Sequence, residues 1–183
     1  MKKTKSKEGA RLVYSDDNWK VYEINTYEAS AKYGKGTKWC IAGNFPGHEG
    51  RGKEYFDSYR SSRYSDYYVF IDREGQQGYD KWCVCPYKSD PSQCDIWDAP
   101  DNTTSAINGA PTIKGLPYVS NIIIEGDTLV KVKNVRGSRN TAFSIPDTIK
   151  HIARKAFYGC DYGVIHIPDS VVSIGSKSQM EEP

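Results

Sequence analysis

The residues best equipped for chemistry lie in a glycine-bounded stretch, residues 34–43. There Thr37, Lys38 and Cys40 offer a hydroxyl, a cation and a thiol. Between them stands the indole of Trp39. Glycine allows tight turns, whereas Trp and unpaired Cys are commonly buried. Two alternatives follow: the stretch is a structural corner of the core, or Thr37 and Trp39 shape the wall of a pocket.

A catalytic role for Cys40 requires a base or a cation beside its thiol. The nearest imidazole downstream is His48, in a glycine-containing loop. As a general base, His48 would suit a metal-independent ribonuclease with Lys81 or Arg60 as phosphate clamp. The candidate catalytic residues are Cys40, His48, Lys81 and Asp95.

Two kinds of metal site are weak alternatives. Cys83 and Cys85 lie on one face of a predicted strand near Cys94, but structural zinc normally needs a second pair of cysteines. Carboxylates could hold Mg²⁺ for phosphodiester cleavage, although aspartates at strand ends usually cap turns. The carboxylates concerned are Asp80, Asp95, Asp98 and Asp101. We predict no metal site, and the sequence assigns no cofactor.

Cations alternate with aromatic rings over residues 51–64. Such a surface suits single-stranded RNA, because bases stack on rings and phosphates require cations. Glu54, Asp57 and Asp66 reduce the net field, so a solvated helix with aromatic packing is the alternative. The candidate nucleic-acid-binding residues are Lys38, Arg51, Lys53, Tyr59, Arg60 and Arg63.

Composition limits the setting of the protein. The chain has 183 residues, 13% aromatic, with a net charge of +2 that is concentrated near its start. Residues 1–10 predict a flexible basic tail. The 5 cysteines are an odd number at irregular spacing, which favours a reducing compartment. Without an apolar run of membrane length or a signal-peptide pattern, we expect a cytoplasmic protein that does not contact membranes.

Periodicity predicts a mainly antiparallel α+β domain over residues 11–100. Strict alternation over 19–24 predicts a strand, and further strands are predicted at 67–71, 81–85 and 94–98, joined as a meander. Asn25 and Glu28 predict the capping box of a short helix over 26–32 that Gly34 ends. A helical turn is predicted at 54–59. Residues 101–118 indicate a linker or long loop.

The last part of the chain repeats itself. Residues 144–153 align with residues 166–175, a register of 22 that continues faintly from 154–157 to 176–179. A period of 20 to 29 residues is typical of leucine-rich solenoids. The repeated I-P-D-S/T-V/I pattern and residues 156–160 resemble the BspA-like class of leucine-rich repeats. The resemblance implies a short repeat cap over residues 119–183, with a degenerate earlier strand at 122–124.

The first part resembles a domain that recurs in phage and mobile-element proteins. Its G-T-x-W-C-x-A pattern is matched by Thr37, Trp39, Cys40 and Ala42, and an aromatic segment and a strand hairpin follow. Small mobile-element proteins of this kind are often counter-defence factors. The resemblance therefore implies an anti-CRISPR protein that binds Cas9 with its guide RNA and inactivates it, by promoting guide-RNA cleavage in some cases.

Two other functions remain open from the sequence. One is a free-standing RNA- or nucleotide-processing enzyme with Cys40 or His48 as its reactive group. The other is a non-catalytic protein-interaction module built on the repeats. Whether the chain is an enzyme is not decided by its residues.

Overall fold

The computed structural model describes residues 9–73, 75, 80–134, 139 and 142–175. The chain forms two compact units. The first consists of Met1–Ser105 with Pro111–Val119, and the second of Ala106–Ala110 with Ser120–Pro183. The described residues form an α+β structure of mostly antiparallel sheets with two short α-helices. All but residues 9 and 10 of the predicted basic tail lie outside the described residues.

The N-terminal unit is built on a six-stranded antiparallel sheet in which each strand pairs with the next along the chain. Its strands are β1 (Ala10–Ser15), β2 (Trp19–Ile24), β3 (Tyr67–Asp72), β4 (Lys81–Pro86), β5 (Cys94–Asp98) and β6 (Thr103–Thr104). The four predicted strands are confirmed as β2 to β5. The β3–β4 turn lies partly outside the described residues.

Strand β1 was not expected from the sequence. It pairs with β2 at the edge of the sheet, and Ala10 is its one buried residue. An edge strand with few buried residues lacks the alternating apolar pattern from which a strand is predicted. Likewise, the predicted linker contains β6, which pairs with β5 through Thr103 and Thr104.

Two helices and a 3₁₀ turn lie between β2 and β3. Helix α1 spans Tyr27–Tyr33, the 3₁₀ turn Cys40–Ala42, and helix α2 Gly52–Ser62. The predicted capping residue of α1 is wrong. Thr26 is the N-cap, because its extended backbone (φ −133°) lets Oγ1 accept a 3.2 Å hydrogen bond from the Ala29 N–H. The predicted end of the helix at Gly34 is confirmed by its N–H, which bonds to the Ser30 carbonyl.

Both helices and the 3₁₀ turn contribute to the core on one face of the sheet. In this cluster, Ala29 of α1 and Phe56 of α2 join inward-facing side chains of the strands. Cys83 and Cys85 belong to it as well, and both are buried. The other face of the sheet holds an aromatic group in which the Trp19 ring lies 6.5 Å from Phe70 and 5.8 Å from Trp82.

The C-terminal unit contains short strands that pair at a fixed separation. They are β7 (Ile122–Glu125), β8 (Thr128–Val132), β9 (Ala142–Ser144), β10 (His151–Ile152), β11 (Val164–His166) and β12 (Ser173–Ile174). β7 and β8 form an antiparallel hairpin, whereas β8, β10 and β12 run parallel, as do β9 and β11. The predicted strand at 122–124 is confirmed as β7. Residues 176–179 of the predicted repeat lie outside the described residues.

Strand pairing in this unit follows the sequence repeat. His151 pairs with Ser173, 22 residues later, and Ala142 pairs in the same register with Val164. The core between these strands consists of Ile122, Leu129, Val132, Phe143, Ile145, Ile149, Ile152 and Ala156. Equivalent positions of successive segments therefore lie side by side.

Candidate functional site: an aromatic cavity

A cavity of about 240 Å³ opens in the N-terminal unit, between the helices and the sheet. Half of its lining residues are Phe, Tyr or Trp, and three thiols, an imidazole, a guanidinium and a carboxylate lie among them. The lining residues that matter for chemistry are Trp39, Cys40, His48, Tyr55, Tyr59, Arg63, Tyr64, Tyr67, Trp97 and Asp101.

The glycine-bounded stretch builds one wall of this cavity. The Trp39 indole N–H donates a 2.6 Å hydrogen bond to the Asp98 carbonyl at the end of β5, and the ring is buried. Gly43 then ends the 3₁₀ turn with a left-handed backbone (φ 78°), which glycine adopts without strain. Thr37 is buried and does not line the cavity, since its hydroxyl donates to the Gly34 carbonyl at 2.6 Å.

Helix α2 supplies the opposite aromatic wall. Tyr55 and Tyr59, one helical turn apart, have ring centroids 6.1 Å apart and nearly parallel planes (28°). The Tyr64 ring makes edge-to-face contacts with two further rings. Its centroid lies 6.2 Å from that of Tyr59 and 6.1 Å from that of Tyr67 on β3. These contacts form a continuous row of rings, which presents apolar surface to the cavity.

Most polar atoms around the cavity already have partners within the protein. The Tyr55 hydroxyl is 2.8 Å from His48 Nδ1, and the Tyr59 hydroxyl donates to the Cys40 thiol. Tyr67 donates to the Phe56 carbonyl at 3.0 Å. Such engaged groups hold the rings in position and leave few polar atoms to contact a ligand.

Cys40 and His48 both line the cavity, as a Cys-based mechanism would require. Burial raises the pKa of the Cys40 thiol, and the nearby Asp101 carboxylate raises it further. A thiol with a raised pKa carries little thiolate at neutral pH and is a poor nucleophile. The arrangement therefore favours binding over nucleophilic catalysis by Cys40.

Lys81 and Asp95, the other predicted catalytic residues, do not line the cavity. The Lys81 ammonium donates to the Lys35 carbonyl at 2.7 Å. Asp95 accepts from the Tyr64 hydroxyl at 2.6 Å and from the Arg63 guanidinium at 2.9 Å, and also from Tyr87. The structure thus brings together Cys40 and His48 but does not join all four candidates into one centre.

The predicted nucleic-acid-binding cations are largely paired with carboxylates. The ion pairs are Arg51–Glu54, Lys53–Asp57, Arg60–Asp66 and Arg63–Asp95. Lys38 is exposed, and its backbone N–H bonds to the Ala99 carbonyl. Exposed pairs such as Arg51–Glu54 are weak, yet each carboxylate offsets the positive charge of its partner. Of these cations, Arg63 reaches the cavity, and its guanidinium lies 5.2 Å from the Tyr64 ring centre.

Asp101, Phe45, Tyr67 and Trp97 line the cavity, although the sequence did not select them as site residues. Asp101 was named there only among the carboxylates of a weak Mg²⁺ alternative. Its backbone is left-handed (φ 71°), and its N–H bonds to the Asp98 carbonyl at 3.0 Å. Burial, and to a lesser extent Asp98, raises the pKa of Asp101 to about 6. Its position just beyond β5, in a Pro-Asp-Asn turn, is the signal that could have placed it beside the strand ends.

The cysteines and carboxylates are the candidate metal ligands of the N-terminal unit. Cys83 and Cys85 Sγ atoms are 3.6 Å apart on the cavity side of β4. Across the described ranges, no three His, Cys, Asp or Glu side chains are placed to hold a metal ion. Within the same part of the chain, no helix is long and apolar enough to span a membrane.

Comparison with protein-family models, with curated proteins and with solved structures gives no match for this chain.

Proposed function

We propose that the N-terminal unit binds a nucleobase in the aromatic cavity, either from a free nucleotide or from an unpaired position of single-stranded RNA. The observation behind this proposal is the row of rings around the cavity, formed by Trp39, Tyr55, Tyr59, Tyr64 and Trp97. Stacking on aromatic side chains is the usual means by which proteins hold unpaired bases.

The size and polarity of the cavity agree with one base. Its volume of about 240 Å³ is below the roughly 300–1,000 Å³ of pockets for drug-sized ligands. A flat ring system of one or two rings matches it better than a bulky ligand. Arg63 lines the cavity and is half-exposed. Exchange of its Asp95 partner for a phosphate would place the ribose-phosphate outside and the base inside.

The proposal is tested by titrating the chain with the four ribonucleoside 5′-monophosphates and with a short single-stranded RNA of mixed sequence. Binding should quench the fluorescence of Trp39 and Trp97, since both line the cavity, and calorimetry should give the affinity. The variant Tyr59→Ala should weaken binding by about tenfold or more, because one stacked ring is worth roughly 1–3 kcal/mol per base.

Tyr158→Ala is the matched control, because Tyr158 is 73% exposed and lies in the other unit. It should bind as the wild type does. Much tighter binding of RNA than of mononucleotides would identify RNA as the source of the base. Failure of every nucleotide and of the RNA to bind would overturn the proposal.

For the role in the cell we propose counter-defence, on the strength of the Thr-x-Trp-Cys resemblance around Cys40. In this proposal the protein acts in the host cytoplasm on Cas9 with its guide RNA, and the cavity takes an unpaired guide base. Incubation with the Cas9–guide complex should reduce cleavage of target DNA, and Tyr59→Ala should restore it. A denaturing gel of the guide RNA separates nuclease action from blocking. Unchanged cleavage with several Cas9 types would exclude this role.

We also propose that the C-terminal unit is a short leucine-rich solenoid of the BspA-like kind. The support is the parallel pairing of strands at the repeat distance, as between His151 and Ser173. Solenoids are stabilised by contacts between neighbouring repeats. Truncating a residue that is buried between repeats should therefore lower the free energy of unfolding more than truncating its exposed counterpart in another repeat.

A further inference from the structure

Building on the proposed base-binding function, we propose that Asp101 makes the cavity selective for guanine. Its carboxylate would accept hydrogen bonds from the N1–H and the N2 amino group of the base, while the rings stack on its faces. Asp101 is a cavity-lining residue whose side chain is half-buried.

Asp101 is held in place by its backbone and is free at its carboxylate. The residue has a left-handed φ of 71° and a 3.0 Å bond from its N–H to the Asp98 carbonyl, which together fix the turn after β5. Among the described residues, no hydrogen bond or ion pair engages the Asp101 carboxylate. A half-buried carboxylate without a partner is costly, and a ligand that donates two hydrogen bonds would relieve that cost.

The other polar side chains of the cavity are less suited to recognise a base edge. Tyr64 donates to Asp95, Tyr67 to the Phe56 carbonyl, and Tyr59 to Cys40. The His48 ring nitrogen Nδ1 is engaged with the Tyr55 hydroxyl. Selectivity between bases of similar shape therefore depends mainly on Asp101.

The edges of the bases decide which one fits a carboxylate. An ionised carboxylate offers two acceptor oxygens and no donor. Guanine presents two adjacent donors, N1–H and N2–H, and so matches both oxygens. Adenine and cytosine present one amino donor beside an acceptor nitrogen, and uracil flanks its single N–H with two carbonyls. Each of these would place a lone pair against the carboxylate, which is unfavourable in a partly desolvated site.

The experiment compares GMP, IMP, AMP, CMP and UMP at pH 8 by calorimetry, with the wild type and Asp101→Asn. IMP keeps N1–H and lacks the N2 amino group. The wild type should bind GMP about ten- to a hundredfold more tightly than AMP, with IMP between them, as expected for one bidentate pair.

Asp101→Asn is a suitable variant because asparagine tolerates a left-handed backbone at least as well as aspartate. Its amide offers one donor and one acceptor, which match the adenine and cytosine edges. The variant should lose the preference for GMP and gain affinity for AMP or CMP. Circular dichroism confirms that it is folded.

The outcomes separate the two proposals. If every nucleotide binds with equal affinity, or if the preference for GMP survives in Asp101→Asn, the guanine proposal is wrong while base binding stands. If the wild type prefers another base, the guanine proposal is likewise wrong and base binding stands. If no nucleotide and no single-stranded RNA binds, both proposals are wrong.

Discussion

At the scale of single residues, burial determines the protonation of the cavity. It raises the pKa of the Cys40 thiol and brings the pKa of Asp101 to about 6. The titratable groups near Asp101 are Asp98 and Cys40, which interact with its carboxylate electrostatically. The other titratable residues that line the cavity are His48, Tyr55, Tyr59, Arg63, Tyr64, Tyr67, Cys83 and Cys85. A cavity that disfavours charge suits an uncharged ring better than a charged transition state.

The raised pKa of Asp101 predicts a pH-dependent cost to stability. Between about pH 3.8, the ordinary pKa of an aspartate carboxyl, and about pH 6 the folded chain binds more protons at this residue than the unfolded chain does. The free energy of unfolding attributable to Asp101 therefore falls as pH rises through that window. Asp101→Asn should raise the melting temperature at pH 7.5 and have a smaller effect at pH 4. Thermal melts of the wild type and the variant across this range measure the effect of the substitution. An equal change in melting temperature at both pH values would contradict the prediction.

At the scale of secondary-structure elements, the start of α1 shows how a local rule can select the wrong residue. Asn25 and Thr26 are both good N-cap residues, and the Glu28 that follows suggested Asn25. In the fold, the backbone N–H of Asn25 bonds to the Gly9 carbonyl at 2.7 Å, and its carbonyl accepts from Arg60. These tertiary contacts leave the next residue to cap the helix.

The capping assignment predicts a difference between two neighbouring substitutions. Thr26→Ala should lower the free energy of unfolding by about 1 kcal/mol, since the Ala29 N–H loses its acceptor. Asn25→Ala should change it by less than about 0.5 kcal/mol, because the contacts of Asn25 are made by its backbone. Urea unfolding of both variants gives the comparison. A larger loss in Asn25→Ala than in Thr26→Ala would show that the capping box operates after all.

At the scale of the whole molecule, the chain consists of two units that differ in how their strands are arranged. The N-terminal unit is an antiparallel meander covered by helices, and the C-terminal unit repeats its strands every 22 residues. In the C-terminal unit, Ile152 is 4% exposed, whereas its repeat partner Ile174 is 58% exposed. The same residue type at the same repeat position thus has two environments.

This difference provides the test of the solenoid proposal. Ile152→Ala should lower the free energy of unfolding by about 2–5 kcal/mol, as large-to-small core substitutions do. Ile174→Ala should have an effect within about 0.5 kcal/mol, as surface substitutions do. Urea unfolding gives the energies, and hydrogen exchange should show faster exchange across β8 and β10 in Ile152→Ala. Equal costs for the two variants would mean that the repeats do not support one another as a solenoid requires.

Periodicity was enough to predict much of the fold. The alternation of residues 19–24 and the apolar runs that became β3, β4 and β5 depend on local spacing, and so does the 22-residue repeat. The strand Ala10–Ser15 and the true extent of α2 were missed, because an edge strand and a helix with few buried residues show little periodicity. Cys40, His48, Tyr59 and Arg63 were named as site residues from their types, and they line one cavity.

The sequence by itself determined β2 to β5, the 22-residue repeat and several of the residues that could bind or react, because type and spacing are local properties. Only the tertiary structure decided which of them meet. It placed Asp101, which follows β5, beside Cys40 from the 3₁₀ turn, and it kept Lys81 away from the cavity. Chain segments far apart in sequence are brought together by burial of the core, and burial also sets the pKa of each group that they bring.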